Sequence, residues 1–372
     1  MTKVALLNNK IHFLKNLFAW YHKNKRDLPW RNIQDPYKIW VSEIILQQTR
    51  VNQGLPYYLN FIKEFPDVYS LAGAEERKVL KIWQGLGYYS RARNMHETAR
   101  KIVSEFHGKF PPSFEQLLKL KGIGNYTAAA IASFAWKIPV PVLDGNVIRV
   151  LSRILAYRKP VNTSIAVKYF QQVAQKLISV KQPDIFNQAM MEMGAMMCTP
   201  VNPACVICPV NKYCLAYNKK IQGKIPVIQK NIKIKKRFFN YAVIRCKNKF
   251  LIHERTEGDI WKGLYEFYLM ETDPPPTPSS GGQDSLTTIL QKLNSVGFSK
   301  IKFIQESKTI RHVLSHQIIY TKFYEFELLQ ETKPEGMGDY KWVSEKELKS
   351  FPWSRLTEKY RDRGKDISGL GL

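Results

Sequence analysis

Acidic residues are scarce in this chain, and so are cysteines and long apolar runs. Its 31 Asp and Glu face 57 Lys and Arg, a formal charge of +26. That excess is larger than solubility requires and points to a polyanion, either nucleic acid or an anionic membrane surface. No uninterrupted apolar stretch approaches the ~18 residues of a membrane span. Lys3, Lys10 and Lys15 break up the N-terminal region, which has no signal-peptide cleavage pattern. A soluble, cytoplasmic protein is therefore expected, with no membrane partner. The cysteines number five, and four of them crowd into Cys198 to Cys214. So few and so bunched, they exclude a secreted disulfide framework and suit metal binding in a reducing compartment. No internal repeat of roughly 20–50 residues is present.

What is there is ordinary globular material: 372 residues, 44% hydrophobic and 24% charged. That suffices for about two or three domains. The charge divides the chain. Residues 1–217 hold 29 basic and 13 acidic groups, 218–237 hold 8 basic and no acidic ones, and 238–372 hold 20 and 18. The middle piece reads as a basic linker, either a solvated connector or a segment lying along phosphates. In the first part, Ile11, Leu14, Leu17 and Phe18, then Tyr37, Trp40, Val41, Ile44 and Ile45, share helical faces. In the last part, Tyr241–His253 and Lys302–Phe326 carry β-branched and aromatic runs around a helix near Leu286–Val296, with a Pro- and Gly-rich run at 273–283. The expected organisation is an all-α domain, a linker and an α+β domain.

Two local patterns in the helical part bear on chemistry. Leu120-Lys121-Gly122-Ile123-Gly124-Asn125-Tyr126 puts two glycines between helices. Such a hairpin can take left-handed backbone and offer bare amides to an anion, or it can be a plain helix–turn–helix connection. Further on, Val142-Leu143-Asp144-Gly145-Asn146 enters another helix, and Asp144 taken alone reads first as an N-cap. The cysteines are spaced C-x6-C-x2-C-x5-C at Cys198, Cys205, Cys208 and Cys214, with Pro200, Pro203 and Pro209 breaking regular helix. Four thiolates satisfy tetrahedral zinc or an iron–sulfur cluster, and ligand count does not separate the two.

Together, the hairpin, the following aspartate and the cysteine spacing resemble the helix–hairpin–helix superfamily of DNA base-excision glycosylases. The resemblance implies an all-α glycosylase domain with an iron–sulfur loop (198–214), one [4Fe–4S] cluster on the four cysteines, hairpin amides of Gly122 and Gly124 on a DNA phosphate, and an essential Asp144. Inside that superfamily the runs SEIILQQT (42–49), Leu28-Pro29-Trp30-Arg31, Gly85 to Asn94 and Phe186 to Met191 are similar to the MutY family of adenine glycosylases. The likeness extends over nearly the whole chain. It departs from the pattern between Cys198 and Cys205, where no Lys or Arg is available to touch DNA.

That likeness implies a monomeric DNA N-glycosylase, nucleoid-associated and bacterial-type, acting on duplex DNA at adenine mispaired with 8-oxoguanine or guanine. By the same likeness Glu43 would protonate the flipped adenine, Asp144 would stabilise the sugar cation, and Tyr126 and Asn146 would position Asp144 and the sugar. Gln48, Tyr88 and Arg31 lie on the DNA and lesion side. Read from the residues alone, Glu43 is either the polar edge of an amphipathic helix or a desolvated general acid. Tyr126 stands where endonuclease III has its Schiff-base lysine, which implies a monofunctional enzyme. Arg311 to His316 reads as a strand. Its Leu314-Ser315-His316 resembles the family's Phe-Ser-His lesion-reading motif, with Leu for Phe, inside a Nudix-like domain that lacks the glutamate-rich metal box. The rivals are a pyrimidine-lesion glycosylase/lyase and a non-catalytic DNA-binding module.

Overall fold

Phe13, Leu17 and Tyr21 recur every four residues and are all buried along one face of α1 (Lys10–Asn24). The computed structural model describes residues 7–229, 234–256, 258–272, 283–332 and 339–367. After α1 come α2 (Pro36–Leu46), α3 (Val51–Glu64), α4 (Glu76–Ile82), α5 (Ser90–Phe106), α6 (Asn125–Trp136), α7 (Gly145–Ile154), α8 (Ser164–Leu177) and α9 (Pro183–Met196), with shorter helical turns between them. Their starts are written locally. Asp35 caps α2 by accepting from the Tyr37 and Lys38 N–H groups, with Pro36 at the first helical position, and Thr163 caps α8 through the Ala166 N–H.

The chain forms two compact units: Met1–Gly73 with Asn94–Lys230, and Ala74–Arg93 with Asn231–Leu372. In the first, α1, α7, α8 and α9 close around Phe13, Leu17, Leu151, Phe170, Phe186 and Met190. The alanine-rich α6 is buried at Ala128 to Ala132, where small side chains let neighbouring helices come close. Among the described residues, no helix is long and apolar enough to cross a membrane.

The second unit is built on β1 (Lys235–Cys246), β2 (Lys249–Glu254), β3 (Tyr265–Glu266), β4 (Tyr268–Thr272), β5 (Lys302–Glu306), β6 (Ile310–Val313), β7 (Gln317–Glu327) and β8 (Lys341–Ser344). The strands run β3-β2-β1-β7-β5, with β4 also on β1, β6 on β7 and β8 on β2. The β1–β7 pair is parallel, from Lys235 opposite Gln317 to Arg245 opposite Glu327, and the others are antiparallel. Phe239, Tyr241 and Val243 enter one core with Phe323 and Trp353, while Ala242, Ile244 and Cys246 enter another with Tyr324 and Phe326. The central strands are thus buried on both faces, which is why their polar–apolar alternation is faint in the sequence. Helix α10 (Gln283–Ser295) covers one face through Ile289 and Leu293, and α11 (Arg355–Ile367) covers the other through Leu356.

Two expectations need correction. Ser315 and His316 do not lie on a strand. They sit in the turn between β6 and β7, closed by the Leu314 N–H donating to the Gln317 carbonyl at 2.8 Å. The basic stretch 218–237 is only partly a linker. Ile225 is buried, Asn162 and Gln229 exchange side-chain-to-backbone hydrogen bonds of 2.9 Å, and Lys235 to Arg237 already belong to β1. Arg237 is buried there, bound to Glu271 and Asp259 at 2.6 Å each. The predicted Pro- and Gly-rich segment falls almost wholly outside the described residues.

Candidate active site

Glu43 is carried by α2 and points into the fold: it is 5% exposed among Ile39, Ser42, Leu46 and Tyr126. It lines a cavity of about 780 Å³ together with Asp144, Tyr126, Asn146, Arg31 and Gln48. The two carboxylates, 101 positions apart in the chain, share this one space. Burial pushes the Glu43 carboxyl up to about 7, against the opposing Tyr126 hydrogen bond and the Arg31 charge. The buried-acid reading of Glu43 therefore prevails over the polar-edge reading. The Tyr126 hydroxyl donates to Glu43 Oε2 at 2.5 Å, and burial beside both carboxylates raises its own pKa, keeping it a neutral donor.

Asp144 is the N-cap of α7 and a cavity residue at once. One oxygen accepts from the Val147 N–H at 2.7 Å and the other from Asn146 Nδ2 at 2.6 Å. Burial raises its pKa, and those donors together with the Arg149 charge pull the other way by favouring the ionised form. Asn146 is placed in turn by Arg149, whose Nη2 donates to Asn146 Oδ1 and to the Gly194 carbonyl at 2.8 Å. The close passage of α7 over α9 depends on Gly194, where a Cβ would fall 2.5 Å from Asn146 Cβ.

Arg31 does not reach outward. Its guanidinium donates to Glu192 Oε2 at 2.9 Å, the Tyr21 hydroxyl at 2.8 Å and Gln188 Oε1 at 3.1 Å. Glu192, fully buried, also takes the Arg26 fork at 2.7 and 2.9 Å, and these charges hold its pKa down against burial. The cavity wall is thus a fixed ion network. Gln48 is exposed at the cavity edge with a left-handed φ of 58°. Sequence reasoning missed Glu192 and Arg149. The first could have been found as the lone acid in the apolar run Met190-Met191-Glu192-Met193, and the second as a basic residue one turn past Asp144.

In the hairpin the two glycines serve differently. Gly122 takes φ 77° beside Asn94, where a Cβ would meet Asn94 Cβ at 2.8 Å. Gly124 is extended and caps α6 with open space around it, leaving the helix N-terminal amides uncovered. Lys121 is exposed and pairs with Glu97 at 2.5 Å. No lysine is among the described residues that line the cavity.

Cys198, Cys205, Cys208 and Cys214 surround a small separate cavity with Val150, Ile154, Met193 and Val210. Among the described residues no three His, Cys, Asp or Glu side chains converge on a single-ion site. Burial raises Cys208 to about 12 and lifts Cys205 and Cys214 as well, so these three thiols hold their protons when free and metal binding must release them. Arg153 anchors the loop. It donates to Cys198 Sγ at 3.3 Å and to the Thr199 and Pro200 carbonyls at 2.7 and 3.0 Å. An all-sulfur donor set with one buried cation beside it suits an anionic iron–sulfur cluster.

In the second unit, Tyr88 is 49% exposed with φ 49°, and its hydroxyl hydrogen-bonds Ser315. Ser315 and His316 are exposed, whereas Leu314 is half-buried and packs against the core cluster that holds Phe323 and Trp353.

A helical cavity with two carboxylates, one buried and one half-buried, a glycine hairpin and a four-cysteine loop defines a base-excision DNA glycosylase. Residues 41–178 match the HhH-GPD superfamily base excision DNA repair protein, 198–214 the iron-sulfur binding domain of endonuclease III, and 240–363 the NUDIX domain. The chain is 36% identical over 311 residues to the adenine DNA glycosylase of Buchnera aphidicola subsp. Baizongia pistaciae, covering 83% of this chain and 84% of that one. It is 30% identical to the Schizosaccharomyces pombe adenine DNA glycosylase, over 90% of this chain and 86% of that one. A solved thermostable thymine-DNA glycosylase, 26% identical, superposes with a TM-score of 0.53 over 57% of this chain and 98% of its own. The chain belongs to the adenine DNA glycosylase family. It is a DNA glycosylase that carries an iron–sulfur loop and a Nudix-like domain.

Proposed function

We propose that the chain excises adenine from duplex DNA where it is mispaired with 8-oxoguanine or guanine, hydrolysing the N-glycosidic bond and leaving an abasic site. The observation that carries this reading is Glu43, whose carboxyl is raised to about 7 in the cavity that also holds Asp144. Adenine leaves poorly as an anion, so an acid that keeps its proton near neutrality is what its departure needs. Tyr126 occupies Oε2, which leaves Oε1 to carry the proton delivered to a ring nitrogen. Departure puts positive charge on the sugar. Asp144 stabilises it electrostatically or by transient capture, the second role of paired carboxylates in glycoside hydrolysis. Glu43, now ionised, then activates water on the sugar.

Asn146, braced by Arg149, orients Asp144, and the ion network around Glu192 holds Arg31 and Gln188 as the cavity's polar wall. The cavity has no lysine among its described lining residues, and Lys121 is engaged by Glu97, which argues for hydrolysis without strand cleavage. The hairpin amides grip a phosphate. Tyr88, Gln48, Ser315 and His316 contact the mispair, with Leu314 supporting them from the core. The four cysteines hold one [4Fe–4S] cluster, which supplies a structural tie among four points of the loop. The enzyme works as a monomer on DNA in the cytoplasm.

The test is single-turnover incubation with a duplex containing one 8-oxoguanine:adenine pair, followed by alkali. Cluster-loaded protein should yield alkali-labile sites at the adenine. No release of adenine sinks the proposal, and strand cleavage without alkali sinks its monofunctional part.

A further inference from the structure

The stretch Ala74–Arg93 lies inside the residues that match the glycosylase superfamily, yet it groups with the Nudix-like unit. Its attachments are specific. Gln84 donates from Nε2 to Glu358 Oε1 at 2.6 Å and accepts at Oε1 from the Trp353 N–H at 3.2 Å and from Lys81 Nζ at 3.1 Å. Lys81 Nζ also donates to the Phe351 carbonyl at 3.0 Å, the Tyr89 hydroxyl to the Trp353 carbonyl at 3.2 Å, and Arg93 Nη1 to the Lys262 carbonyl at 2.5 Å. A Cβ on Gly263 would lie 2.7 Å from Leu80 Cδ1, so that turn accepts α4 closely. Beyond Gln84 the chain turns through Gly85, Gly87 and Tyr88, all at positive φ, and delivers the Tyr88 hydroxyl to Ser315.

Tyr88 and Ser315, 227 positions apart, therefore present one joint surface, and Gln84 is one of the points that fasten its two halves, the one that joins a side chain of each by a directional bond. We infer that Gln84 is a positioning residue for lesion discrimination. Its amide, by bridging Glu358 and the Trp353 N–H, sets the Tyr88 ring and hydroxyl against Ser315 so that the mispair is read by the pair and by neither alone. Gln84 itself touches no DNA in this account, and the inference rests on the proposed role of Tyr88 and Ser315 at the mispair.

The contact is polar and directional, so it can be broken and remade. Gln84→Glu places a carboxylate against Glu358 and removes the only donor Gln84 gives it. Gln84→Glu with Glu358→Gln restores the bond with donor and acceptor exchanged, while Trp353 and Lys81 keep an acceptor. The readout is the ratio of single-turnover excision rates on 8-oxoguanine:adenine and guanine:adenine duplexes with full-length, cluster-loaded protein. Loss of active protein lowers both rates together and leaves the ratio alone.

Gln84→Glu should lower the ratio about tenfold, the equivalent of about one charge-assisted hydrogen bond, and the double variant should recover most of it. In the free protein, amide exchange over residues 85–93 should quicken in the single variant and slow again in the double. An unchanged ratio, unchanged exchange, or no recovery in the double variant overturns the inference. Ser315→Ala separates the two claims. If it erases the preference while Gln84→Glu keeps it, lesion reading stands and the role of Gln84 falls. If Ser315→Ala itself keeps the preference, both fall.

Discussion

Tyr126 gives its hydroxyl hydrogen to Glu43 Oε2, joining the residue that follows the glycine hairpin to the buried acid of α2. The bond favours the carboxylate and so works against the burial that raises Glu43 to about 7. Its donor never titrates in the working range, because the phenol's own pKa is raised. The pair therefore sets how far the acid's proton affinity rises.

Replacing Tyr126 with Phe removes that opposing bond and nothing of the burial. The Glu43 pKa should move further up, by about one unit for one lost hydrogen bond. Single-turnover excision measured against pH should show its alkaline limb displaced to higher pH in Tyr126→Phe. A limb that stays in place, or shifts downward, contradicts the assignment of that limb to Glu43.

Glu43 also makes a prediction about stability. Its folded pKa of about 7 lies above the ordinary 4.5, so the folded state holds a proton that the unfolded chain releases. Below 4.5 both states are protonated and burial of the neutral acid carries no such penalty. As pH rises from 4.5 through 7, stability is lost, and above 7 the loss levels off at about 3 kcal/mol. Glu43→Gln removes the titration. The difference in denaturant-derived stability between variant and parent should therefore grow in the variant's favour across that window and then flatten. A difference independent of pH means that Glu43 does not titrate in the fold as stated. The same variant should release almost no adenine.

How much of this was legible in the sequence depends on whether a feature is local. The α7 cap at Asp144, the starts of α2 and α8 and the cysteine interval are written in neighbouring residues and could be read directly. The burial of Glu43 was undecidable from α2 alone, because it depends on Tyr126, 83 positions away, and on the cavity wall. Ser315 reads as a strand residue because the residues flanking it are β-formers. The turn is made by a backbone hydrogen bond between Leu314 and Gln317 with no glycine or proline to announce it. The attachment of Ala74–Arg93 to the second unit was invisible because its bonds run largely to backbone carbonyls and amides, which any sequence supplies.

Arg149 connects the cysteine loop to Asp144, the carboxylate proposed to face the sugar. Its Nε donates to the Cys198 carbonyl at 2.8 Å, and its Nη2 to Asn146 Oδ1, while Asn146 donates to Asp144. Lysine at this position keeps the positive charge but has neither the planar fork nor the reach to serve three acceptors at once. Arg149→Lys should therefore leave Asn146 under-held and lower single-turnover excision by about 10- to 100-fold, the usual cost of removing a residue that orients a functional ligand. Iron per chain and the absorbance of the loaded protein near ~400 nm should stay at the parent level, because the four cysteines and Arg153 are untouched. Iron loss in step with activity would instead make Arg149 a support of the loop alone. Retention of both iron and rate would mean that Asn146 and Asp144 keep their places without the Arg149 fork.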